Sequence, residues 1–294
     1  MTTIHPASNY GTVSIVGVGL IGASLGLALK HAGVVNKVLG VGRSKVNLDQ
    51  AQKMGAIDGV VDLVEAAKQS DVLVLCMPVA QMRAAFEVIE PHLEPRTMIT
   101  DAGSTKGDVI LAAKEVLGKK ACQFVPAHPI AGGAQHGASA AKVDLFQGKK
   151  TIVCPLQENS LEDIALIIGL WESVGSIVKK IGSVQHDAIY AAVSHLPHLL
   201  SYALMASVVN SEDADQKLGH VGAGFKDFTR IAASSPEMWR DICLANRVAI
   251  LHELDQYLAI TKHLRDLIAN SDGAALEKLF IKASEARQKW TGSE

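Results

Sequence analysis

The strongest constraint on the fold is a set of three spaced glycines near the N-terminus, in the segment VSIVGVGLIGASL. Gly17, Gly19 and Gly22 follow the pattern GxGxxG, directly after a β-branched run and around the start of a helical pattern that opens with Leu20 and Ile21. In a strand–turn–helix unit of this kind, the first glycine permits a tight turn, the second lets the backbone approach a pyrophosphate, and the third lets the helix pack on the strand. We therefore predict a dinucleotide site at these five residues, with a glycine-rich turn of some other α/β fold as the alternative.

The first half of the chain alternates short apolar runs with helical patterns. Strands are predicted at TVSIVGV, KVLGV, GVVD, DVLVLCMP, TMITDAG, QFVPAHP and KKTIVCP. Near-continuous apolar strands between helices are typical of a parallel sheet covered on both faces. From Ser160 onward, apart from a short run at GSIVKKI, long segments of period 3.6 predict helices. We therefore predict an α/β Rossmann-type domain with a mainly parallel sheet at residues 1–157 and an all-α dimerisation domain at residues 158–294.

Composition excludes several classes of protein. Of the 294 residues, 48% are hydrophobic and 20% are charged, so a large core can form, and a net charge of -2 argues against nucleic acid as the main partner. The first ten residues lack the pattern of a signal peptide, and we expect no apolar stretch of the ~18 residues that cross a bilayer. Four widely spaced cysteines without a CxxC pair predict reduced thiols. We expect a cytoplasmic protein with a small-molecule substrate, no membrane partner and no nucleic acid.

The end of the second predicted strand bears on the choice between NAD and NADP. An NAD site usually has an acid about 20 residues after the glycines, against the ribose 2′-hydroxyl. Here that position is Gly42, and Arg43, Ser44 and Lys45 follow it. An arginine beside a hydroxyl suits a 2′-phosphate, and the missing acid removes a repulsion. We predict NADP in preference to NAD, with contacts from Arg43 and Ser44; stacking of Arg43 on the adenine, or its exposure to solvent, is the alternative.

Other chemistry-bearing side chains follow the ends of later predicted strands, where ligands bind in an open parallel sheet. Met77 and Pro78 end the strand DVLVLCMP, and Asp101 ends TMITDAG; we assign all three to the cofactor. Ser104 lies just beyond, in DAGSTKGD, and His128 ends QFVPAHP. These residues are candidates for cofactor binding and proton transfer.

The segment HPIAGGAQHG holds two histidines and three glycines, which allows phosphate binding, metal binding or base catalysis. Phosphate binding is better assigned to the glycines that open the first helix. No acid or cysteine accompanies His128 and His136, so we predict no metal. Base catalysis by a histidine is the third possibility, and the proline after His128 restricts the backbone of that residue, which helps to fix its side chain. His136 is expected to face solvent.

Five motifs occur together in one order: GVGLIGAS, DAGSTK, HPIAG, SHLPH and GFKDFTRIA, with Trp239 nine residues after Arg230. In this order and spacing, from Val13 to about Asp266, the chain resembles the prephenate and arogenate dehydrogenases of tyrosine biosynthesis. That resemblance implies an oxidative decarboxylation, in which a hydride passes to the nicotinamide, carbon dioxide leaves the opposite ring carbon, and the ring becomes aromatic. It also implies a homodimer built from the helical domains.

The resemblance also implies roles for particular residues. His128 would be the base for the ring hydroxyl, and Ser104 would bridge the hydroxyl, the histidine and the nicotinamide. Substrate contacts are expected from the following residues: Gln135, Ser194, His195, Asp227 and Arg230. Among these, Arg230 would clamp a carboxylate and Asp227 would orient the arginine. Alternatively, Asp101 and Lys106 could cap the helix that follows them. His186 and Asp187 are interpreted as a pair at the start of a helix.

The loop after His128 bears on the substrate. Some family members have a glutamate six residues after the histidine, and this chain has Ala134 there. A small neutral residue in that loop resembles the NADP-using arogenate enzymes, which favours arogenate, with prephenate as a shared or main substrate. Two other classes are left open: an NAD(P) oxidoreductase of the β-hydroxyacid or ketol-acid type, and a non-catalytic dinucleotide sensor.

Overall fold

A five-stranded parallel sheet forms the centre of the first half of the protein. The computed structural model describes residues 9–133 and 135–290. The sheet has the order β3-β2-β1-β4-β5, with strands β1 (Thr12–Val16), β2 (Lys37–Val41), β3 (Gly59–Val60), β4 (Val72–Leu75) and β5 (Met98–Asp101). The helices between and after them are α1 (Leu20–Ala32), α2 (Lys45–Lys53), α3 (Leu63–Gln69), α4 (Met82–Ile89) and α5 (Gly107–Leu117). The predicted Rossmann-type domain is confirmed.

The apolar runs in the sequence explain this layering. All four residues of β4 are buried, as expected for a central strand with helices on both faces. Val13 and Ile15 of β1 pack into one hydrophobic core with α1, whereas Val16 belongs to a second core on the side of α4 and α5. The sheet therefore separates two apolar layers, and its carboxyl edge is left for ligands.

A second, smaller sheet follows, in the order β6-β7-β8. It contains β6 (Ala127–Pro129), β7 (Lys150–Val153) and β8 (Ile177–Lys180), with α6 (Leu161–Ser173) between the last two strands. β7 and β8 are parallel, but β6 and β7 are antiparallel, which differs from the expected continuation of one parallel series. The reason is the connection: parallel strands need a long crossover such as α6, and the chain between β6 and β7 has no α-helix in its described residues.

The second sheet also bears on the domain boundary. Ile167, Leu170 and Trp171 of α6 are fully buried in the same core as β1 and α1. β8 is hydrogen-bonded to β7 along its whole length. A boundary after residue 157 would separate α6 and β8 from the core that buries them. We therefore propose that the first domain extends through β8.

The rest of the chain is helical, so the predicted all-α second domain is confirmed. Its helices are α7 (Ser183–Tyr190), α8 (Leu196–Val209), α9 (Ala214–Gly219), α10 (Ala223–Thr229), α11 (Pro236–Ala245), α12 (Arg247–Ala269) and α13 (Gly273–Lys289). The pattern from Pro236 onward predicts one long helix, but Asn246 interrupts it between α11 and α12.

A π-helical turn, Ala191–His195, joins α7 and α8 into a continuous helix that contains Pro197. A proline ring clashes with the carbonyl four residues earlier, and a wider π turn at that point relieves the clash. The combined helix Ser183–Val209 has 27 residues and is long and apolar enough to cross a membrane, by length and composition alone. This corrects the expectation that no apolar stretch reaches that length. The same helix carries His186 and His195, which are buried inside the protein.

Apolar side chains line the outside of the last two helices. In α12, Ile250 and Leu267 are buried. Other large side chains of α12 and α13 are at least half exposed: Val248, Leu251, Leu258, Ile260, Ile268, Phe280 and Ile281. Exposed apolar surface of this extent is typical of an interface with another protein.

Candidate active site

The turn between β1 and α1 can be built only with glycine at two positions. Gly17 has a φ of 100°, and a Cβ on it would lie 2.7 Å from the carbonyl carbon of Cys76. A Cβ on Gly22 would lie 2.3 Å from the carbonyl oxygen of Gly17. The first glycine therefore permits the turn, and the third allows α1 to start against it.

Gly19 differs from these two glycines because a Cβ on it would meet no atom within 4 Å. It is the N-cap of α1, and the first intrahelical bond runs from the amide of Ala23 to its carbonyl, 2.9 Å away. The amides of Leu20, Ile21 and Gly22 precede that bond and are free to bind an anion. The space in front of Gly19 thus fits the pyrophosphate of a dinucleotide.

A cavity of about 870 Å³ extends from this turn across the carboxyl edge of the sheet. Six of the residues predicted to bind the cofactor line it: Gly17, Gly19, Arg43, Ser44, Met77 and Pro78. Arg43 is exposed at the end of β2, beside Gly42. Ser44 caps α2, since its hydroxyl oxygen accepts a bond from the amide of Asn47 at 3.3 Å.

Asp101 does not lie in this cavity, although the sequence assigns it to the cofactor. It is fully buried, and it forms an ion pair with Lys106, which is also fully buried. Its two carboxylate oxygens accept further bonds from the amides of Gly103, at 2.8 Å, and Ala127, at 2.9 Å. Its carboxylate is thus bonded to the protein itself. Asp101 fixes the start of β6 against the end of β5.

His128 lies in the middle of β6, opposite Ile152 of β7. Its ring meets the rings of His186 and Tyr190 edge-on, with both centroids 5.1 Å away. Its Nδ1 lies 2.9 Å from Nε2 of His186. Burial lowers the pKa of His128 well below its ordinary value, and the nearby His186 and Lys106 lower it further. The ring is therefore neutral near pH 7, as a proton acceptor requires.

Behind His128, two residues of α7 connect it to the start of α5. Nδ1 of His186 lies 2.8 Å from a carboxylate oxygen of Asp187. The same carboxylate accepts bonds from the amides of Lys106, at 2.9 Å, and Gly107, at 2.8 Å. Asp187 therefore caps α5 from the helical half. Ser104 is partly exposed in the short loop that this contact holds, between β5 and α5.

His195 ends the π turn and is 1% exposed. Its Nδ1 lies 3.1 Å from the side-chain nitrogen of Asn246, which also donates to the carbonyl of Asp187 at 2.8 Å. Burial lowers the pKa of His195 to about 4. His195 is thus neutral and is joined through Asn246 to the residue pair behind His128.

The remaining predicted substrate residues lie farther out on the helical half. His198 stacks on Trp239, with ring centroids 3.7 Å apart, and Trp239 meets the His195 ring edge-on. Arg230 is exposed and close enough to His198 to lower the pKa of that ring, although burial is the larger cause. Asp227 is also exposed, and no ion pair joins it to Arg230 in the described part of the chain.

Ser194 and Gln135, the other two residues predicted to contact the substrate, lie in the π turn and in the glycine-rich loop. The carbonyl of Ser194 accepts a bond from Nδ1 of His198 at 2.9 Å, so its backbone stabilises the π turn. Gln135 is exposed in the glycine-rich loop, and Ala134 lies outside the described residues.

Among residues 9–133 and 135–290, no group of three His, Cys, Asp or Glu side chains is placed to hold a metal ion.

Sequence reasoning missed three parts of this cluster. It took His186 and Asp187 as a pair at a helix start, and it gave no role to Tyr190 or Asn246. The spacing of four between His186 and Tyr190 places both on one face of α7, and that was the available signal. Asn246 had none, because its contact with His195 joins residues 51 positions apart.

Comparison with known proteins agrees with this arrangement. Residues 25–180 match the prephenate dehydrogenase nucleotide-binding domain, and residues 182–282 match the prephenate dehydrogenase dimerization domain. The chain is 34% identical over 278 residues to the cyclohexadienyl dehydrogenase of Zymomonas mobilis subsp. mobilis, with 94% of each chain covered. The prephenate dehydrogenase of Aquifex aeolicus, solved in complex with hydroxyphenyl propionate and NAD+, has a TM-score of 0.89 at 31% identity, covering 95% of this chain and 98% of that one. Synechocystis arogenate dehydrogenase has a TM-score of 0.79 at 27% identity, covering 95% of this chain and 100% of that one. The two matched domains meet where β8 ends and α7 begins. These matches show that the chain belongs to the prephenate dehydrogenase family.

Proposed function

We propose that this protein catalyses the oxidative decarboxylation of a cyclohexadienyl acid, arogenate or prephenate, with hydride transfer to NADP. The observation that carries the proposal is His128, a neutral histidine held by hydrogen bonds between the nucleotide-binding half and the helical half. The relatives reported above are named as cyclohexadienyl, prephenate or arogenate dehydrogenases. Its products would be tyrosine from arogenate and 4-hydroxyphenylpyruvate from prephenate.

The residues present fit a dinucleotide. The open space at Gly19 and the free amides at the start of α1 would hold the pyrophosphate, and Met77 and Pro78 would border the cavity. A bound nicotinamide supplies the acceptor for a hydride and its electron pair. The protein itself then has to orient the ring, hold the carboxylates and accept one proton.

His128 is the proposed proton acceptor for the ring hydroxyl. Its lowered pKa keeps it unprotonated before the reaction, and its hydrogen bond to His186 limits the orientation of the ring. His195 would hydrogen-bond the substrate from the helical half, and Arg230 would bind a carboxylate with its forked guanidinium. Ser104 would bridge the hydroxyl and His128. Proximity and orientation of this kind supply most of what an aromatising reaction needs.

Preference for arogenate and NADP is the finer part of the proposal. Arg43 and Ser44 border the nucleotide cavity at the end of β2, beside a glycine where an NAD site usually has an acid. The related Aquifex aeolicus structure contains NAD+, so the choice of NADP depends on Arg43 in this chain. The preference for arogenate depends on Ala134 and on the likeness to the Synechocystis arogenate dehydrogenase.

We also propose that the protein is a homodimer formed through its helical half and that it works in the cytoplasm. The exposed apolar side chains of α12 and α13, together with the match to a dimerization domain, support the dimer. Four free cysteines support a reducing compartment.

Assays that combine arogenate or prephenate with NAD or NADP test the function directly. We expect formation of reduced cofactor, fastest with arogenate and NADP, and a loss of kcat of about 100-fold or more in His128→Asn. If neither arogenate nor prephenate is converted with either cofactor, the proposal is refuted. Tight nucleotide binding without turnover would indicate a sensor, and turnover of a β-hydroxyacid instead would indicate the other oxidoreductase class.

A further inference from the structure

The direction of the hydrogen bonds behind His128 follows from the ionisation of Asp187. Burial alone would raise the pKa of Asp187, but bonds from His186 and from the amides of Gly107 and Lys106 outweigh it, so its pKa lies below the ordinary value. An ionised carboxylate can only accept hydrogen bonds. Nδ1 of His186 is therefore the donor in its 2.8 Å contact with Asp187.

His186 is neutral, and this fixes the next bond in the series. Burial lowers the pKa of His186, in spite of the opposing effect of the hydrogen bond that His186 donates to Asp187. Its single ring proton is on Nδ1, so Nε2 offers only a lone pair. The 2.9 Å contact between this Nε2 and Nδ1 of His128 then requires His128 to donate. The lone pair of His128 is thereby left on its other nitrogen, Nε2.

We propose that His186 and Asp187 are positioning residues that hold His128 in the tautomer protonated on Nδ1, so that Nε2 accepts the hydroxyl proton of the substrate. This inference rests on the dehydrogenase function proposed above. In the transfer, the substrate O–H bond breaks and an N–H bond forms on Nε2, while His128 keeps its Nδ1–H bond to His186. Asp187 then stabilises the imidazolium through His186, much as a buried aspartate orients and stabilises the histidine of a catalytic triad.

The surroundings of the histidine pair support this role over simple packing. Its titratable and charged neighbours come from four elements and their flanking loops: Asp101, Lys106, Cys154, Asp187, Tyr190 and His195. Asp101 is paired with Lys106, whereas Asp187 is bonded to His186 and, through it, to His128. Asp187 is itself held by two amides of a helix in the other half of the protein. Its position relative to His128 is therefore fixed from both sides.

Three variants test the positioning role, with His31→Gln as the control, because His31 is exposed in the last turn of α1. We expect His186→Leu to lower kcat by about 100-fold without changing the KM for NADP, because no acceptor is left for Nδ1–H of His128. His186→Gln should recover activity to within about tenfold of the wild type, since its amide oxygen can accept that bond. Asp187→Asn should shift the acidic limb of kcat/KM to lower pH, because the imidazolium of His128 loses its counter-charge.

Nitrogen-15 NMR of the histidine rings tests the tautomer without any turnover, with His128→Asn identifying the signals. We expect Nε2 of His128 to be unprotonated in the wild type and to become partly protonated in His186→Leu. Protonated Nε2 in the wild type would overturn the inference. So would an unshifted acidic limb together with no rescue by Gln, since the pair would then only join α7 to α5. If the wild type turns over neither substrate, the proposed function fails, and the NMR result separately decides the tautomer.

Discussion

Alanine substitutions at Gly19 and Gly22 separate the two roles of the nucleotide turn. A Cβ at Gly19 meets no atom within 4 Å and the φ there is -99°, so Gly19→Ala should lower the free energy of unfolding by no more than about 1 kcal/mol, which is the cost of replacing glycine with alanine at an N-cap. At Gly22 the added carbon would lie 2.3 Å from a backbone oxygen, which no side-chain rotation relieves. For Gly22→Ala, overpacking should cost about 3 kcal/mol and the higher helix propensity of alanine should return about 1 kcal/mol. We therefore expect the free energy of unfolding to fall by about 2 kcal/mol.

For nucleotide binding we expect the reverse: Gly19→Ala should weaken it more than Gly22→Ala does. The Cβ of Gly19→Ala would occupy the space proposed for the pyrophosphate, and an overpacking cost of about 1–3 kcal/mol corresponds to a rise in Kd of roughly 5- to 150-fold. Urea unfolding gives the stabilities, and titration calorimetry with NADP and NAD gives the Kd values. Gly219→Ala is the matched control, because its Cβ also meets open space but lies in α9. Wild-type affinity in Gly19→Ala would show that the pyrophosphate lies elsewhere.

Three further predictions concern charges. Arg43→Ala should raise the KM for NADP by roughly 10- to 100-fold through loss of a charge-assisted bond, and should change the KM for NAD by less than twofold; equal changes would contradict a 2′-phosphate contact. Lys106→Met should lower the free energy of unfolding in urea by about 3–5 kcal/mol, because Asp101 would be left buried without its partner. The folded-state pKa of His195, about 4, lies below its unfolded value, so the unfolded state binds more protons between about pH 6.5 and pH 4. Stability should fall by about 3 kcal/mol as pH decreases through that range, and urea titrations of His195→Gln should show a smaller fall.

The order of strands and helices in the first half was predictable from the sequence, because apolar runs and glycine turns act locally. The direction of β6 was not. Its segment, QFVPAHP, predicts a strand but not a direction, and its orientation depends on the connection to β7, which holds no crossover helix in its described residues. The domain boundary that we propose after β8 had no signal in the sequence either, since it depends on the burial of Trp171 in the same core as β1, between residues far apart in the chain.

Parts of the candidate site could be proposed from the sequence where a local motif indicates a particular function. The glycine pattern and His128 fall in this class, and the structure places both at the carboxyl edge of the sheet or next to it. Asp101, which the sequence assigns to the cofactor, is paired with Lys106 outside the cavity, because a strand-end carboxylate looks the same in sequence whether it faces a ligand or a buried lysine. The role of Asp187 could not be seen, since its partners are backbone amides, which no sequence pattern marks.

The contact between Asp187 and the first amides of α5 bears on the order in which the protein is synthesised. Domains generally fold as units, with the N-terminal one first as the ribosome releases the chain. A nascent chain that has emerged only as far as Ile181 already contains the glycine turn and His128, but it lacks His186 and Asp187. With the roles proposed above, its nucleotide site is complete before its proton acceptor is oriented. An unfinished chain would then bind the cofactor without consuming substrate.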